Sequence, residues 1–246
     1  MRKAISPDDP GAGWLPRRTA MVALVAMVYG CVSNRYPRDA PQQTGPSIPP
    51  SAPDAETSKP DTEPLAARVA RANPRISPSL ARDVEYVLQQ PSDHPKAAVL
   101  DFAAHSTTPR FHVVDRASCQ VLQSLRVAHG HGSEGKRDDG YAEVFSNEHG
   151  SNASSLGLYQ TAETYIGIYP GLSMRLDGLS PTNSNARARF IVIHEAWYMD
   201  PESWKGKKRG RPGRSDGCFV FSKADRDAVI SHLQGGALIY ASYEKS

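Results

Sequence analysis

Three cysteines, Cys31, Cys119 and Cys218, are all that the 246 residues contain. They are too few and too scattered for a disulfide framework. Excess charge is also scarce. Lys and Arg number 29 and Asp and Glu 26, a net charge of +3. No basic stripe is interleaved with aromatics, so nucleic acid is not an expected partner. The apolar stretch from Thr19 to Tyr29 falls well short of the roughly 20 residues that a bilayer-spanning helix needs. No internal repeat is visible. The apolar fraction of 39% is still enough for one sizeable core.

What is present is unevenly distributed. Arg17-Arg18 precede the stretch Thr19 to Tyr29, and Gly30-Cys31 follow it. A basic flank, a short apolar region and a small residue before the cut read as a signal peptide over residues 1–30. Val28-Tyr29-Gly30-Cys31 resembles a bacterial lipobox, in which the cysteine is lipidated and becomes the new N-terminus. That resemblance implies a lipid anchor on Cys31 and a periplasmic, membrane-anchored protein. Tyr29 stands where small residues are usual. An uncleaved anchor is the alternative and gives the same compartment. Residues 31–64 carry Pro37, Pro41, Pro46, Pro49, Pro50, Pro53, Pro60 and Pro64 with few large apolar residues, the composition of a disordered tether.

A helical extension is expected over 65–95. Leu65 to Ala72 form one short helix, and Pro74 breaks it. Ser77-Pro78 cap a second helix, whose apolar face is Leu80, Val84, Val87 and Leu88. From 96 to 243 the signal is mainly β: Ala97 to Leu100, Phe111 to Val114, Val121 to Ala128, Leu156 to Thr161, Ser173 to Leu176, Phe190 to His194, Cys218 to Phe221 and Ala237 to Ala241. Many short strands with Gly-rich joins predict a β-sandwich or barrel. One helix interrupts them, opened by the capping box Ser222-Lys223-Ala224-Asp225 and ended before Gly235. Cys119, at a hairpin tip, reads as an inert and partly exposed thiol.

The chemistry concentrates in Gly213-Arg214-Ser215-Asp216-Gly217-Cys218, taken with His194. Gly217 permits a tight turn before Cys218. Backbone N–H groups there can hold an oxyanion. His194 ends a β-forming run, and two neighbouring strands ending at one edge would bring imidazole and thiol together. An imidazole beside a thiol favours the nucleophilic thiolate. The loop between them carries Trp197, Tyr198, Trp204 and the basic residues Lys205, Lys207, Lys208, Arg209, Arg211 and Arg214. It reads either as a substrate-covering lid or as a solvated mobile loop.

These segments, with Leu100-Asp101-Phe102, Pro109-Arg110, Val127 to Gly130, Phe145-Ser146-Asn147, Ser154 to Gly157, Arg175 to Leu179 and Arg189 to His194, resemble the murein L,D-transpeptidase catalytic domain family (YkuD-like) over about residues 97–242. The resemblance implies an L,D-transpeptidase-like β-sandwich and a peptidoglycan L,D-transpeptidase. Cys218 would be the nucleophile and His194 the acid–base group, while Gly217, Ser215 and Asp216 serve the oxyanion and positioning. It implies no cofactor, no metal, peptidoglycan stem tetrapeptides as substrates and carbapenems as inhibitors. Arg214, Trp197 and Tyr198 are candidate substrate contacts. Two departures stand out. Asp216 occupies a position where many relatives have histidine, and Glu195 one where many have glycine, so the group orienting His194 is undefined. An L,D-carboxypeptidase acting on the same bond and a non-catalytic wall-binding lipoprotein of the same fold are alternatives. A sortase-like enzyme fits less well, because Arg226 lies in the predicted helix. A papain-type order is reversed. A metal site built from His129, His131, His149 and His194 has no acidic ligand at a familiar spacing.

Overall fold

The computed structural model describes residues 63–167, 171–208 and 210–244. The expected signal peptide, Cys31 and nearly all of the tether lie outside the described residues.

Helices α1 (Leu65–Ala72) and α2 (Pro78–Gln89) come first. The Ser77 hydroxyl accepts the Leu80 N–H at 3.2 Å and caps α2. Strands β1 (Lys96–Asp101), β2 (Phe111–Asp115), β3 (Val121–Leu125), β4 (Gly157–Ile166), β5 (Leu172–Gly178), β6 (Val192–Glu195), β7 (Phe219–Phe221) and β8 (Leu238–Ser242) form one eight-stranded sheet. Its order is β3-β2-β1-β8-β4-β5-β6-β7. The layers expected of a sandwich are therefore made by one curled sheet. The chain beyond β3 brings its two ends together, where Ala128 N–H donates to the Val220 carbonyl at 2.9 Å across an antiparallel bridge.

Strand alternation divides the apolar residues between two faces. Inside the curl lie Ala98, Leu100, Val113, Ile193, Phe219, Phe221 and Ile239. Outside, α1 and α2 cover Ala97, Val99, Val114 and Leu238 with Val69, Leu80, Val84 and Val87. Burial on both faces explains why β1 reads as a continuous apolar run. The third helix, α3 (Pro201–Trp204), is a single turn, and α4 (Lys223–Leu233) starts at Ser222, whose hydroxyl accepts Asp225 N–H at 3.3 Å.

Two local readings are corrected. Cys119 is fully buried under the α1–α2 pair, at φ +61°. Asn73 in the turn between those helices donates to the Cys119 carbonyl at 2.7 Å and accepts from Val121 N–H at 2.8 Å, which ties the hairpin tip beneath them. Phe190 is not the start of β6. Its φ is +57° and its ring is 67% exposed.

Candidate active site

β6 and β7 are parallel neighbours, with Ile193 opposite Phe219 and His194 opposite Val220. Residues at i and i+2 share a face of a strand, so Val192 and His194 stand on the same outer face as Cys218 and Val220. Val192, Cys218 and Val220 pack there with Ala128 and Met199. His194 is thus the diagonal neighbour of Cys218. The turn before β7 depends on Gly217, at φ +113°. A Cβ on it would meet the Ala153 carbonyl at 2.8 Å. Ser215 holds the turn from within: its hydroxyl donates to the Cys218 carbonyl at 2.8 Å and accepts from Gly217 N–H at 3.2 Å. Ser154 holds it from outside, accepting from Gly130 N–H at 3.0 Å and donating to the Gly217 carbonyl at 3.2 Å. Ser154 was visible in the sequence only as part of a Ser-Ser-Leu-Gly segment with no assigned role.

The thiol is 5% exposed and donates to the Phe190 carbonyl at 3.5 Å. Burial pushes it up to about 11. A Val192 backbone hydrogen bond and the Arg189 charge work against that rise, and the Asp216 charge adds to it. Burial pushes His194 down from the usual imidazole range, the Glu195 carbonyl partly offsets this, and the Arg226 charge reinforces it. Both shifts work against the charged forms of a thiolate–imidazolium pair. Desolvation of both groups is the cause.

His194 Nδ1 lies 2.9 Å from the Glu195 carbonyl. A carbonyl only accepts, so Nδ1 carries the proton and Nε2 keeps its lone pair. This backbone contact is the orienting group that the sequence left undefined. The Glu195 side chain is occupied elsewhere, in an ion pair with Arg226 of α4.

A cavity of about 430 Å³ opens beside the imidazole, lined by His194, Ala196, Trp197, Tyr198, Asp200 and Lys223 among others. Trp197, 76% exposed, and Tyr198 therefore border the His194 side of the site. Arg214 does not. Its side chain is only 7% exposed and is paired with Glu134, and it donates to the Pro212 and Gly213 carbonyls at 2.9 and 3.0 Å. Burial pushes it down to about 10, where it is still charged at neutral pH. The basic loop thus divides: Lys205, Lys207 and Lys208 are exposed, while Arg211 and Arg214 are struts. Asp216, 72% exposed, faces His131 Nδ1 at 3.2 Å.

Glu134 is the residue that sequence reasoning missed. Its carboxylate meets Arg214, Arg211 at 3.6 Å and His129 Nε2 at 3.2 Å. His129 is fully buried. Its Nδ1 accepts from Arg110 at 2.8 Å, which makes Nε2 the donor to Glu134. Burial and the surrounding arginines hold its imidazole far below the usual range. Main-chain bonds join the same two loops, Ser215 N–H to the His129 carbonyl at 3.1 Å and His131 N–H to the Ser215 carbonyl at 2.8 Å. His129, His131, His149 and His194 serve separate contacts. Among the described residues, no three metal-ligating side chains come together.

The L,D-transpeptidase catalytic domain profile YkuD_2 matches residues 72–242, which takes in α2 as well as the sheet. An L,D-transpeptidase from Mycobacterium smegmatis is similar at 14% identity, over 60% of this chain and 58% of that one, with a TM-score of 0.35. The L,D-transpeptidase LdtMt1, solved in complex with imipenem, is similar at 14% identity, over 60% and 59%, with a TM-score of 0.35. An L,D-transpeptidase from Stackebrandtia nassauensis is similar at 14% identity, over 74% and 80%, with a TM-score of 0.35. This chain spans somewhat over half the length of the first two. No curated protein matches. The profile match, running through both the His194 strand and the Cys218 turn, places this chain in the L,D-transpeptidase catalytic domain family.

Proposed function

We propose that the chain is a peptidoglycan L,D-transpeptidase with Cys218 as nucleophile and His194 as general base and acid. The parallel register of β6 and β7, which sets His194 and Cys218 on one face with a cavity on the His194 side, carries this reading. The bond attacked is the amide between diaminopimelate and the terminal D-alanine of a stem tetrapeptide. The thiol proton passes to His194 Nε2 as sulfur bonds to the carbonyl carbon, and the carbonyl electron pair moves onto oxygen. Gly217 N–H is engaged by Ser215 Oγ, so the oxyanion falls to Cys218 N–H. Collapse breaks the C–N bond, and the imidazolium returns its proton to the departing D-alanine amine. An acceptor amine then attacks the thioester while His194 removes its proton, the C–S bond breaks, and the imidazolium returns the proton to the Cys218 sulfur. Trp197 and Tyr198 border the acceptor's approach on the His194 side.

The test is incubation with purified disaccharide-tetrapeptide, with products read by mass. Wild type should release D-alanine and form a cross-linked dimer, and Cys218→Ser should do neither. A carbapenem carbonyl offers the same electrophile, so wild type should gain one drug mass and Cys218→Ser none. Turnover that survives in Cys218→Ser would remove the cysteine mechanism. Tripeptide without dimer would make the enzyme a carboxypeptidase.

The run from Thr19 to Cys31 supports a second part of the proposal, a lipid-anchored periplasmic protein. Labelling with a fatty-acid analogue should mark wild type and not Cys31→Ala. Equal labelling of both would refute the anchor.

A further inference from the structure

Beside the Gly217 turn lies a guanidinium that the proposed mechanism does not use. Arg189 is half-buried. Its NH1 donates to the Ser146 carbonyl at 2.6 Å, and its NH2 to the Ser151 hydroxyl at 3.1 Å and the Ala153 carbonyl at 2.6 Å. All three acceptors are neutral. Among the described residues no carboxylate forms an ion pair with it, whereas Arg211, Arg214 and Arg226 each have one. A cation taken partly out of water without a counter-charge is costly, and such a cost is commonly met at functional sites.

Its position shows what it faces. A Cβ added at Gly217 would lie 3.3 Å from Arg189 NH2. The same guanidinium holds the Ala153 carbonyl, which is what closes off Gly217 from the other side. Phe190, the next residue, has the left-handed backbone whose carbonyl accepts from the thiol at 3.5 Å. The charge is therefore fixed by three hydrogen bonds against the turn that carries the nucleophile.

We propose that Arg189 is a positioning residue of this site, a fixed cation that stabilises the negative charge formed at Cys218 when its proton leaves. The inference rests on Cys218 being the reacting group. Other charges act on the thiol: Asp216 opposes its ionisation, Tyr159 is a buried phenol close enough to couple to it, and His194 takes the proton. Among the described residues Arg189 is the cation acting directly on the sulfur, opposing the larger effects of burial and of Asp216. In the transpeptidase cycle it offsets the same charge while that charge passes from sulfur to the carbonyl oxygen.

The test is the pH dependence of Cys218 alkylation by iodoacetamide in the full chain, mapped by peptide mass, in wild type, Arg189→Gln and Arg189→Lys. An opposite charge close by shifts a titration by at least about one unit. Arg189→Gln should therefore move the midpoint upward and slow alkylation at pH 8 roughly tenfold, and Arg189→Lys should restore most of the rate. A folded Arg189→Gln with an unmoved midpoint would overturn the proposal. Should Arg189→Gln fail to fold, Arg189→Lys decides: a midpoint near wild type supports the charge, and a raised one overturns it. Loss of the fold in both would make the residue structural and would overturn it as well. Alkylation reports ionisation whether or not the protein acts on stem peptides, so this outcome is separate from the tetrapeptide assay.

Discussion

His194→Ala is expected to slow acylation of Cys218 by roughly 10²–10⁴-fold, the usual effect of removing a general acid–base group. The shape of the pH profile is as informative as the rate. The thiol is pushed up to about 11 and the imidazole is pushed below its usual range, in both cases first by burial. Attack needs His194 unprotonated, so wild-type acylation should fall only as the pH drops through the lowered imidazole value. Above that it should hold a plateau until the pH nears the thiol value. A resting thiolate–imidazolium pair would behave differently, losing activity on the alkaline side of neutrality as the imidazolium deprotonates. In His194→Ala the plateau should vanish and the rate should climb with pH, because only spontaneously ionised thiol can react. The measurement is the pre-steady-state rate of carbapenem adduct formation by mass between pH 5 and 10. A wild-type rate in His194→Ala would remove the imidazole from the mechanism, and an alkaline fall near pH 7 would restore the ion pair.

The burial that shifts both groups marks where the sequence stops being informative. Cys218 and His194 were legible because both stand at strand boundaries marked by local signals, a Gly-Cys turn before Phe219-Val220-Phe221 and a histidine closing an Ile-Val-Ile run. Parallel pairing of those strands puts the two residues on one face. The ionisation of the pair depends on how much water the fold removes, and no spacing encodes that. The same holds for Arg214. Its neighbours Lys205, Lys207 and Lys208 made it look like part of a basic loop that grips substrate, but Met199 and Trp204 anchor that loop in the protein, and Arg211 and Arg214 turn inward to Glu134. Phe190 misled through composition, since a large apolar residue before Ile191 reads as strand, yet its backbone is left-handed and its ring faces solvent. Cys119 was misplaced because its cover, the α1–α2 pair, is more than 25 residues earlier in the chain.

Glu134→Ala should be the most destabilising single change near the site, at about 3–5 kcal/mol, the range for stripping the partner from a buried charge. Nothing in His129-Gly130-His131-Gly132-Ser133-Glu134 announces this, because its partner Arg214 is 80 residues away. The Glu134 side chain is 11% exposed and Arg214 7%, so water cannot replace the carboxylate. Arg211 keeps Asp138 as a second partner, but Arg214 is left with the carbonyls of Pro212 and Gly213. His129 loses the acceptor of its Nε2 proton while Arg110, itself fully buried and pushed down to about 9, still occupies Nδ1. These contacts sit under the Ser215 bonds that fix the Cys218 turn, so acylation should slow under conditions in which the protein remains folded. Glu163 is the control. It contacts Arg175 and Arg187 at 3.0 and 2.8 Å, yet its side chain is 55% exposed, and ion pairs in water contribute little. Urea unfolding at pH 7 should give a much lower midpoint for Glu134→Ala at an unchanged slope, with Glu163→Ala close to wild type. Equal midpoints for the two variants would mean that the buried cluster carries no more stability than the exposed one, and that the Ser215 and Ser154 hydrogen bonds hold the turn without it.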